Sequence, residues 1–214
     1  PLGFEPNVTH KVLAKWEQQG KLSAVVTQNI DGLHQKAGSK TVYELHGSVL
    51  RNYCTRCRKF HSAEFIKNAT GVPRCGCGGI VKPDVVLYEE SLDQDVIEKS
   101  VMAIRRADLL IVAGTSLEVE PAAGFIDYFR GRELVVINRE ETKADARATL
   151  VLRGDINEIL GTQKQDAPAV SYAWVKKETK DNDTPMKKLM RAVAIGLYIL
   201  CWFACDIASA KDHE

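Results

Sequence analysis

The sequence predicts an α/β fold, in which helices pack on a parallel sheet and a small cysteine-rich module interrupts the chain. Two observations support this prediction. Short apolar runs alternate with segments of helical periodicity through most of the chain, which is typical of a parallel sheet. Between residues 49 and 83 the alternation stops, and the chain becomes rich in Cys, Arg and Gly. We therefore expect an α/β domain that carries an inserted module.

The composition limits the functions that the chain can have. It has 214 residues, of which 45% are hydrophobic, enough for a substantial core. Its 29 basic and 28 acidic residues leave a formal charge of +1, which gives no reason to propose nucleic acid as the main partner. Four of the 6 cysteines stand in two tight pairs. Tight pairs favour a metal site in a reducing compartment, so we expect a cytoplasmic protein.

The first half of the α/β domain contains one helix and two strands. The helix begins at Asn7 and ends at Gly20, with apolar residues at roughly helical spacing between them. A strand follows over 21–27 and breaks abruptly into the polar turn sequence QNIDG. A second, alternating strand covers 41–45 and ends at His46.

The second half repeats one pattern, an apolar strand that ends in small or polar residues. Strands are predicted over 85–88, 108–113, 134–137 and 149–152, and helices over 93–106, after Pro121 and over 156–160. The continuous apolar run 108–113 is typical of a strand covered on both faces. Open α/β sheets bind their ligands at the carboxyl ends of the strands, so we expect the functional site at that edge.

These patterns divide the chain into five parts. They are two portions of the α/β domain at 1–48 and 84–160, the cysteine-rich module at 49–83, a polar linker at 161–185 and an apolar tail at 186–214. The tail has the order of a secretory signal peptide at the wrong end of the chain, with a basic start, an apolar centre and an Ala-Ser-Ala sequence. We interpret it as a junction to a downstream reading frame that starts at Met186. A C-terminal amphipathic or membrane-associated helix is the alternative, although the apolar centre is short for a membrane span.

The paired cysteines predict a structural zinc site. Cys54 and Cys57 form one pair, and Cys75 and Cys77 form the other. Two close pairs separated by a loop can place four thiolates at the corners of a tetrahedron, the geometry that Zn²⁺ prefers. Four protein ligands leave no open position, so the metal would stabilise the fold and take no part in catalysis. Free or disulfide-paired cysteines are the alternative.

The polar strand ends offer candidate ligand-binding side chains. Gln28, Asn29 and Asp31 supply two amides and a carboxylate, which can hydrogen-bond ribose hydroxyls and a carboxamide. The alternative is a turn in which such side chains satisfy only local backbone groups. His46 ends a strand at the same edge, where an imidazole can act as a general base or have a purely structural role. The GTS loop at 114–116 offers N–H groups and hydroxyls to a phosphate or a ribose.

Six features of the sequence occur in a characteristic order. They are TQNIDGLH at 27–34, LHGS at 45–48, the two cysteine pairs, KPDVV at 82–86, GTSL at 114–117 and VIN at 136–138. In these segments and in their order the chain resembles the sirtuins, a family of NAD-dependent protein lysine deacylases. The resemblance covers roughly residues 5–160, and the first two segments are highly specific. It is greatest to bacterial members, and it implies a Rossmann-like parallel sheet with an inserted zinc-binding module.

The resemblance also implies roles for the matching residues. His46 would be the base that acts through the ribose hydroxyls, while Asn29 and Asp31 would hold the ribose and the nicotinamide carboxamide. The NAD-binding residues would be Gln28, Asn29, Ile30, Asp31, Gly114, Thr115, Ser116, Asn138, Asp155 and Ile156. The residues that pair with an acyl-lysine protein or peptide as an added strand would be Val85, Val86 and Leu87. The expected products are nicotinamide, deacylated lysine and O-acyl-ADP-ribose.

Two family features are missing from the sequence. The resemblance implies a first strand followed by a Gly-Ala-Gly loop, and then a cofactor-binding segment with an Arg, but neither stands before the first helix. We therefore expect an incomplete sheet, in which two strands have unpaired edges and no turn holds the phosphates. Such a chain would be poorly stable and would turn over NAD inefficiently. The natural protein would extend about 60–80 residues further upstream.

The residues leave two other functions open. A zinc-containing module could capture extended peptides at the Val85 edge without any chemistry. An NAD-dependent ADP-ribosyltransferase would use the same cofactor but transfer its ADP-ribose to protein.

Overall fold

The structure is a computed structural model, and it describes residues 3–161 and 199–203. The helices are α1 (Val8–Gln18), α2 (Leu33–Ala37), α3 (Ala63–Lys67), α4 (Gln94–Arg106), a 3-10 helix (Ala122–Tyr128) and α5 (Ile156–Gly161). The strands are β1 (Leu22–Thr27), β2 (Val42–Glu44), β3 (Gly47–Cys54), β4 (Phe60–His61), β5 (Val81–Val85), β6 (Leu109–Ala113), β7 (Glu133–Asn138), β8 (Leu150–Arg153) and β9 (Ile199–Phe203). The predicted linker lies outside the described residues apart from Gly161, and so does the predicted tail apart from 199–203.

The large sheet has six strands in the order β2-β1-β9-β6-β7-β8, and every neighbouring pair is parallel. From β1 the chain proceeds outward to β2 on one side, and from β6 it proceeds to β7 and β8 on the other. This is the doubly wound arrangement in which ligands bind where the strand order reverses. The prediction of a Rossmann-like parallel sheet with an inserted module is confirmed.

The expectation of two unpaired strand edges is wrong, because β9 lies between β1 and β6. Cys201 is registered with Val25 on one side and with Ile111 on the other. The segment 199–203 reads ILCWF, and its β-branched and aromatic residues favour a strand. From the sequence alone this segment is expected to be part of the apolar tail at 186–214. Backbone groups in a buried sheet must be paired, and β9 pairs those of β1 and β6.

The sheet is covered on both faces, as the apolar strands predicted. Alternate residues of one strand point to opposite faces, so Val26 and Val112 belong to one buried cluster while Val25 and Ile111 belong to another. The first cluster includes α4 and the 3-10 helix, and the second includes α1 and α5. These helices therefore fix the positions of the strands whose carboxyl ends carry the predicted site.

Two of the predicted helices begin directly after a residue whose side chain caps them. Asn7 caps α1, and its side chain accepts a hydrogen bond from the His10 N–H. Asp93 caps α4 in the same way through the Val96 N–H. The helix expected after Pro121 is a 3-10 helix. None of the helices in the described part of the chain is long and apolar enough to cross a membrane.

The small sheet is antiparallel, with the order β4-β3-β5. The strand predicted at 85–88 shares only Val85 with β5, which begins at Val81. Pro83 lacks an N–H group and is tolerated there because β5 is the edge strand of the small sheet. Gly47 begins β3 with a φ of 75°, and a Cβ atom there would lie 2.0 Å from the Asp84 carbonyl oxygen. Only glycine allows β3 and β5 to approach so closely at this point.

Candidate functional site

Most of the predicted site residues meet at the carboxyl edge of the large sheet. Because the strands are parallel, the residues that follow them lie side by side along one edge. In the order of the sheet they are His46, then Gln28, Asn29, Ile30 and Asp31, then Gly114, Thr115 and Ser116, then Asn138, and finally Asp155 and Ile156. Val85, Val86 and Leu87 lie at the end of β5, beside the connection that carries His46.

The segment 28–31 leaves β1 in a conformation fixed by short-range hydrogen bonds. The Thr27 hydroxyl accepts a hydrogen bond from the Asn29 N–H at 3.0 Å. The Asp31 carboxylate accepts one from the Leu33 N–H at 2.9 Å, where α2 begins. All four side chains of the segment are half-buried. The segment thus forms the turn that its sequence predicts and keeps its polar side chains partly accessible.

His46 lies in the connection between β2 of the large sheet and β3 of the small sheet. Its Nδ1 atom is 3.1 Å from the Gln28 carbonyl oxygen. A carbonyl oxygen can only accept a hydrogen bond, so Nδ1 carries the proton and Nε2 carries the electron pair of the neutral ring. The His46 carbonyl in turn accepts a hydrogen bond from the Val86 N–H at 3.1 Å. The contact with Gln28 fixes the ring in the tautomer that can accept a proton at Nε2, and the contact with Val86 holds the His46 backbone.

The GTS loop follows β6 and turns back at once. Gly114 has a φ of 60°, and its N–H donates to the Ile137 carbonyl at 3.0 Å. The Thr115 hydroxyl is used locally, because it accepts a hydrogen bond from the Leu117 N–H at 3.1 Å. Ser116 is exposed. Of the two hydroxyls, that of Ser116 is therefore the more accessible to a ligand.

The residues predicted to contact the adenosine portion of NAD are Asn138, Asp155 and Ile156. The Asn138 amide donates to the Glu140 carbonyl at 3.1 Å. Asp155 accepts a hydrogen bond from the Asn157 N–H at 2.7 Å and forms an ion pair with Arg139. Burial raises the pKa of Asp155, but the hydrogen bond and charge of Arg139, together with hydrogen bonds from the backbone N–H groups of Asn157 and Glu158, outweigh burial and lower it. Both polar side chains therefore also have contacts within the chain.

Two of the three backbone N–H groups predicted to bind a peptide are engaged within the chain. The Val86 N–H donates to the His46 carbonyl, as described above. The Leu87 N–H donates to the Glu90 carboxylate at 2.9 Å, and Glu90 also forms an ion pair with Lys82 at 2.5 Å. Leu87 is exposed. A cleft of about 330 Å³ lies alongside and is lined in part by Val85 and Val86.

One residue that lines this cleft, Arg51, lies outside the sequence motifs. The Arg51 guanidinium donates to the Glu44 carboxylate at 2.6 Å and to the Asp84 carboxylate at 2.8 Å. It thereby joins β2, β3 and β5 around the His46 connection. The buried Ser48 hydroxyl lies 3.4 Å from the Ile30 carbonyl, to which it donates. The alternation of side chains along β3 indicates which face of the strand carries Arg51. It does not indicate the partners Glu44 and Asp84, which lie in other strands.

The four cysteines converge as the zinc prediction requires. Their Sγ atoms all lie within 4.8 Å of one another. The Sγ atoms of Cys54 and Cys77 are 3.5 Å apart, and those of Cys57 and Cys75 are 3.7 Å apart. A tetrahedral site with Zn–S bonds of about 2.3 Å has ligand sulfurs about 3.8 Å apart. The cluster can therefore hold one structural Zn²⁺ with little movement.

Backbone groups around Cys54 favour its thiolate. Hydrogen bonds from the Cys57 and Arg56 N–H groups lower the pKa of the Cys54 thiol to about 6. The thiolate is the form that binds zinc. Gly79 lies close to the same sulfur, and a Cβ atom there would approach the Cys54 Sγ to 2.7 Å. The absence of a side chain at Gly79 thus leaves room for the ligand sulfur.

The edge of the large sheet also has a feature that fits a polar cofactor. The Gln28 Nε2 atom is buried and has no hydrogen-bond partner among the described residues. A buried amide N–H without a partner is costly, and a bound ligand that accepts its hydrogen bond would remove the cost. A larger cavity of about 490 Å³ lies between α4 and the other end of β1, so it does not belong to this edge.

Comparison with known proteins points to one family. The family model described as "Sir2 family" matches residues 1–121. The NAD-dependent protein deacetylase of Clostridium perfringens is 60% identical over 159 residues, which cover 73% of this chain and 65% of that protein. The deacetylase of Clostridium acetobutylicum is 59% identical and covers 74% of this chain and 65% of its own length. The chain thus spans slightly less than two-thirds of the length of these relatives.

Solved structures give the same result. The structure described as "Sir2-p53 peptide-NAD+" is 43% identical to this chain, with a TM-score of 0.70. The match covers 75% of this chain and 69% of the chain in that structure. The structure described as "Sir2 bound to acetylated peptide" is also 43% identical, with a TM-score of 0.71 and coverage of 75% and 70%.

Proposed function

Because this chain belongs to the Sir2 family, we propose that the protein removes acyl groups from lysine side chains in an NAD-dependent reaction. The observation that supports this most strongly is the position of His46. Its ring lies beside the 28–31 segment, and its Nδ1–H is held by the Gln28 carbonyl. A base fixed in one tautomer next to a cluster of ribose-binding groups is what the reaction requires.

The residues of the carboxyl edge have different roles in the proposed reaction. When bound, NAD supplies the ribose carbon that receives the acyl oxygen, with nicotinamide as the leaving group. His46 accepts a proton at Nε2 from a hydroxyl group placed against it, while Nδ1–H stays on Gln28 and keeps the ring in position. Asn29 and Asp31 hold the ribose and the carboxamide, and Ile30 lines the same pocket.

The remaining residues bind the other parts of the ligands. Gly114, Thr115 and Ser116 contact the phosphate and ribose portion of the cofactor, and Asn138, Asp155 and Ile156 contact its adenosine end. The proposed substrate is a peptide with an acylated lysine, which adds to the edge of the small sheet at Val85, Val86 and Leu87. Main-chain hydrogen bonds supply the affinity in such strand addition. A peptide bound there would pair with backbone groups on the free edge of β5. To pair with the Leu87 N–H as well, it would have to displace the Glu90 carboxylate.

A comparison of two histidine variants tests the proposal. The protein is incubated with an acetyl-lysine peptide and NAD labelled in its adenosine portion, and mass spectrometry follows all products. We expect His46→Ala to lower the formation of nicotinamide and deacetylated peptide by at least about 100-fold, because general base catalysis contributes about 10²–10⁴-fold. His61→Ala serves as the control, since His61 lies in the small sheet and outside the proposed site.

Three results would contradict the proposal. Equal turnover by the wild type and His46→Ala would remove His46 from catalysis. Label that stays on protein would indicate an ADP-ribosyltransferase instead. Peptide binding without any NAD consumption by the wild type would indicate a binding module.

A further inference from the structure

Charge is divided unevenly between the cysteine-rich module and the α/β domain. The module at 49–83 has seven basic side chains and one acidic side chain, so its formal charge is +6. The portions of the α/β domain at 1–48 and 84–160 have 14 basic and 20 acidic side chains, which gives −6. One Zn²⁺ held by four thiolates would reduce the formal charge of the module to about +4. An acidic ligand is therefore attracted to the module and repelled by the α/β domain.

Most of the basic side chains in the module have no acidic partner. Two are neutralised, because Arg51 pairs with Glu44 and Asp84 while Lys82 pairs with Glu90. The other five are exposed, and none of them forms an ion pair within the part of the chain that the structure describes. They are Arg56, Arg58, Lys59, Lys67 and Arg74. The charges of these five side chains are therefore available to an acidic partner.

Three of these cations lie in one short loop at 55–59, which joins β3 to β4 and has the sequence TRCRK. All residues of this basic loop are exposed. The Cys54 N–H donates to the Lys59 carbonyl at 2.9 Å, and the Arg58 N–H donates to the Cys54 carbonyl at 3.0 Å. Cys57, one of the candidate zinc ligands, lies at the centre of the loop. The basic loop therefore presents its charges from a fixed backbone, which lowers the entropy lost on binding.

The Arg58 guanidinium also contacts aromatic rings. It lies over the Tyr53 ring, 5.6 Å from the ring centroid, and the Tyr53 ring meets the Phe60 ring edge-on at a centroid distance of 5.8 Å. A guanidinium over a ring face keeps its N–H groups at its rim, where they can donate to both oxygens of a carboxylate. Phe60 is 54% exposed and offers an apolar contact beside the charges. The basic loop and Phe60 together suit an acidic peptide segment that contains an apolar residue.

The basic loop and His46 lie at opposite ends of β3. This strand has 8 residues, which cover roughly 20–25 Å. The two places are connected by the free edge of β5 and by the cleft beside it, which Arg58 and Lys82 line. A short peptide bound at 85–87 would not reach the loop. An extended substrate would reach it with residues about seven positions away from the acylated lysine.

We propose that the basic loop at 55–59 is a docking surface for an acidic segment of the protein substrate, whose carboxylates bind Arg56, Arg58 and Lys59. A peptide fits this surface better than a nucleic acid, because a polynucleotide is charged along its whole length and is repelled by the α/β domain where it leaves the module. The inference rests on the proposed function for the role of the ligand as a substrate, but the docking itself can be measured without NAD.

Fluorescence anisotropy of a labelled peptide tests the docking in the whole, zinc-loaded chain. The probe peptide contains four glutamates and one leucine, and a second peptide has glutamines in place of the glutamates. We expect the wild type to bind the acidic peptide about 10-fold more tightly, because several charge-assisted contacts act together at an exposed surface. This preference should nearly disappear when the salt concentration rises from about 0.05 M to about 0.5 M, because salt screens exposed charges.

Two variants that remove one cation each show whether the basic loop carries the preference. Arg58→Gln should weaken the binding of the acidic peptide at least about 3-fold, because one guanidinium is lost. Lys67→Gln is the matched control, since it removes a cation of the same module from α3, outside the basic loop. Its affinity should stay within about 2-fold of the wild type, and both variants should contain as much zinc as the wild type.

Turnover of longer peptides tests whether the docked segment belongs to the substrate. Acetyl-lysine peptides carry four glutamates or four glutamines about seven residues before or after the acetyl-lysine. On at least one side, glutamates should lower the KM of the wild type about 10-fold and leave kcat unchanged, because the docking contacts are the same in the ground state and the transition state. Arg58→Gln should lose most of this difference in KM without a change in kcat. A purely structural role of the loop would change kcat as well.

The outcomes separate this inference from the proposed function. If the acidic peptide binds as expected but the wild type turns over none of the acetyl-lysine peptides, the docking surface stands and the proposed function fails. Equal affinity of the wild type for the two probe peptides, or equal affinity of Arg58→Gln and Lys67→Gln for the acidic one, overturns the inference. Turnover with the same KM for glutamate and glutamine peptides overturns it too.

Two further results would assign the basic loop to a different partner and overturn the inference. One is tighter binding of a labelled oligothymidylate than of the acidic peptide, which would indicate a nucleic acid. The other is self-association of the wild type, measured by sedimentation, that is weakened in Arg58→Gln but not in Lys67→Gln. That result would indicate the acidic α/β domain of a second copy of this chain.

Discussion

At the scale of single residues, His34 shows how the burial of a titratable side chain affects stability. The side chain belongs to α2 and is buried, and the centre of its ring lies 4.6 Å from that of the His10 ring. Burial, and to a lesser extent the charge of His10, lowers the pKa of His34 to about 3. The pKa of His10 is lowered by burial too, although Asp31 opposes this shift. The folded protein therefore holds His34 as a neutral ring.

This neutral ring makes stability depend on pH. The unfolded chain binds a proton on His34 below a pH of about 6.5, while the folded chain does not until about 3. The free energy of unfolding therefore falls with decreasing pH by about 1.4 kcal/mol per unit in this interval. Between pH 7 and pH 5, urea unfolding should show that the wild type loses about 2 kcal/mol more than His34→Asn. Equal losses in the two proteins would contradict the account.

Gly47 links the catalytic histidine proposed above to the small sheet. Its positive φ of 75° is unfavourable for other residues, and a Cβ atom would overlap the Asp84 carbonyl oxygen. We expect Gly47→Ala to lower the free energy of unfolding by about 2–5 kcal/mol, the sum of the backbone strain and the overlap. Gly76→Ala is the matched control, because a Cβ atom at Gly76 meets nothing within 4 Å. A thermal melt of Gly47→Ala that matches that of Gly76→Ala would contradict this account.

At the scale of elements, the small sheet depends on its metal site. Its buried cluster consists of two of the candidate zinc ligands, Cys54 and Cys75, and of Val81. Ile66 and a third candidate ligand, Cys77, pack against them. Such a cluster is too small to stabilise an independent module, and structural zinc supplies the missing free energy in modules of this kind. The small sheet in turn holds the His46 backbone through Val86, so metal loss should affect the candidate site.

A glycine substitution tests the fit of the zinc ligands. Gly79→Ala would place a Cβ atom 2.7 Å from the Cys54 Sγ, so we expect this variant to release zinc at least 10-fold more readily than the wild type. Competition with a chromogenic chelator measures the release. The same measurement on Gly76→Ala, whose Cβ atom has open space, should give the wild-type value. If both variants retain zinc equally, the crowding at Gly79 does not control the site.

At the scale of the whole molecule, the sequence predicted the local features and missed one long-range pairing. The apolar runs and the cysteine pairs each depend on neighbouring residues, so their patterns can be recognised in the sequence. The position of β9 depends on the gap between β1 and β6, which no local pattern reveals. The strand-like sequence ILCWF was present, but its apolar flanks made it resemble part of a longer segment.

For the candidate site as well, the sequence predicts the local features but not the contacts between distant strands. The polar residues after each strand could be placed on one edge, because a parallel sheet brings all carboxyl ends together. The contacts of Arg51 with Glu44 and Asp84 join three strands and could not be read from spacing. The stability expected of the whole chain also changes, since β9 pairs the edges that we expected to be open.

The most direct test of the account is a titration of the zinc-loaded protein with NAD, followed by the backbone amide resonances. The account predicts that the resonances of Asn29, Asp31 and Ser116 shift together and saturate at one NAD concentration, because the two halves of the site bind one molecule. Resonances in the small sheet around Cys75 should not change. Shifts confined to one of the two halves, or no shifts in either, would contradict the claim that the residues of this edge form one dinucleotide site.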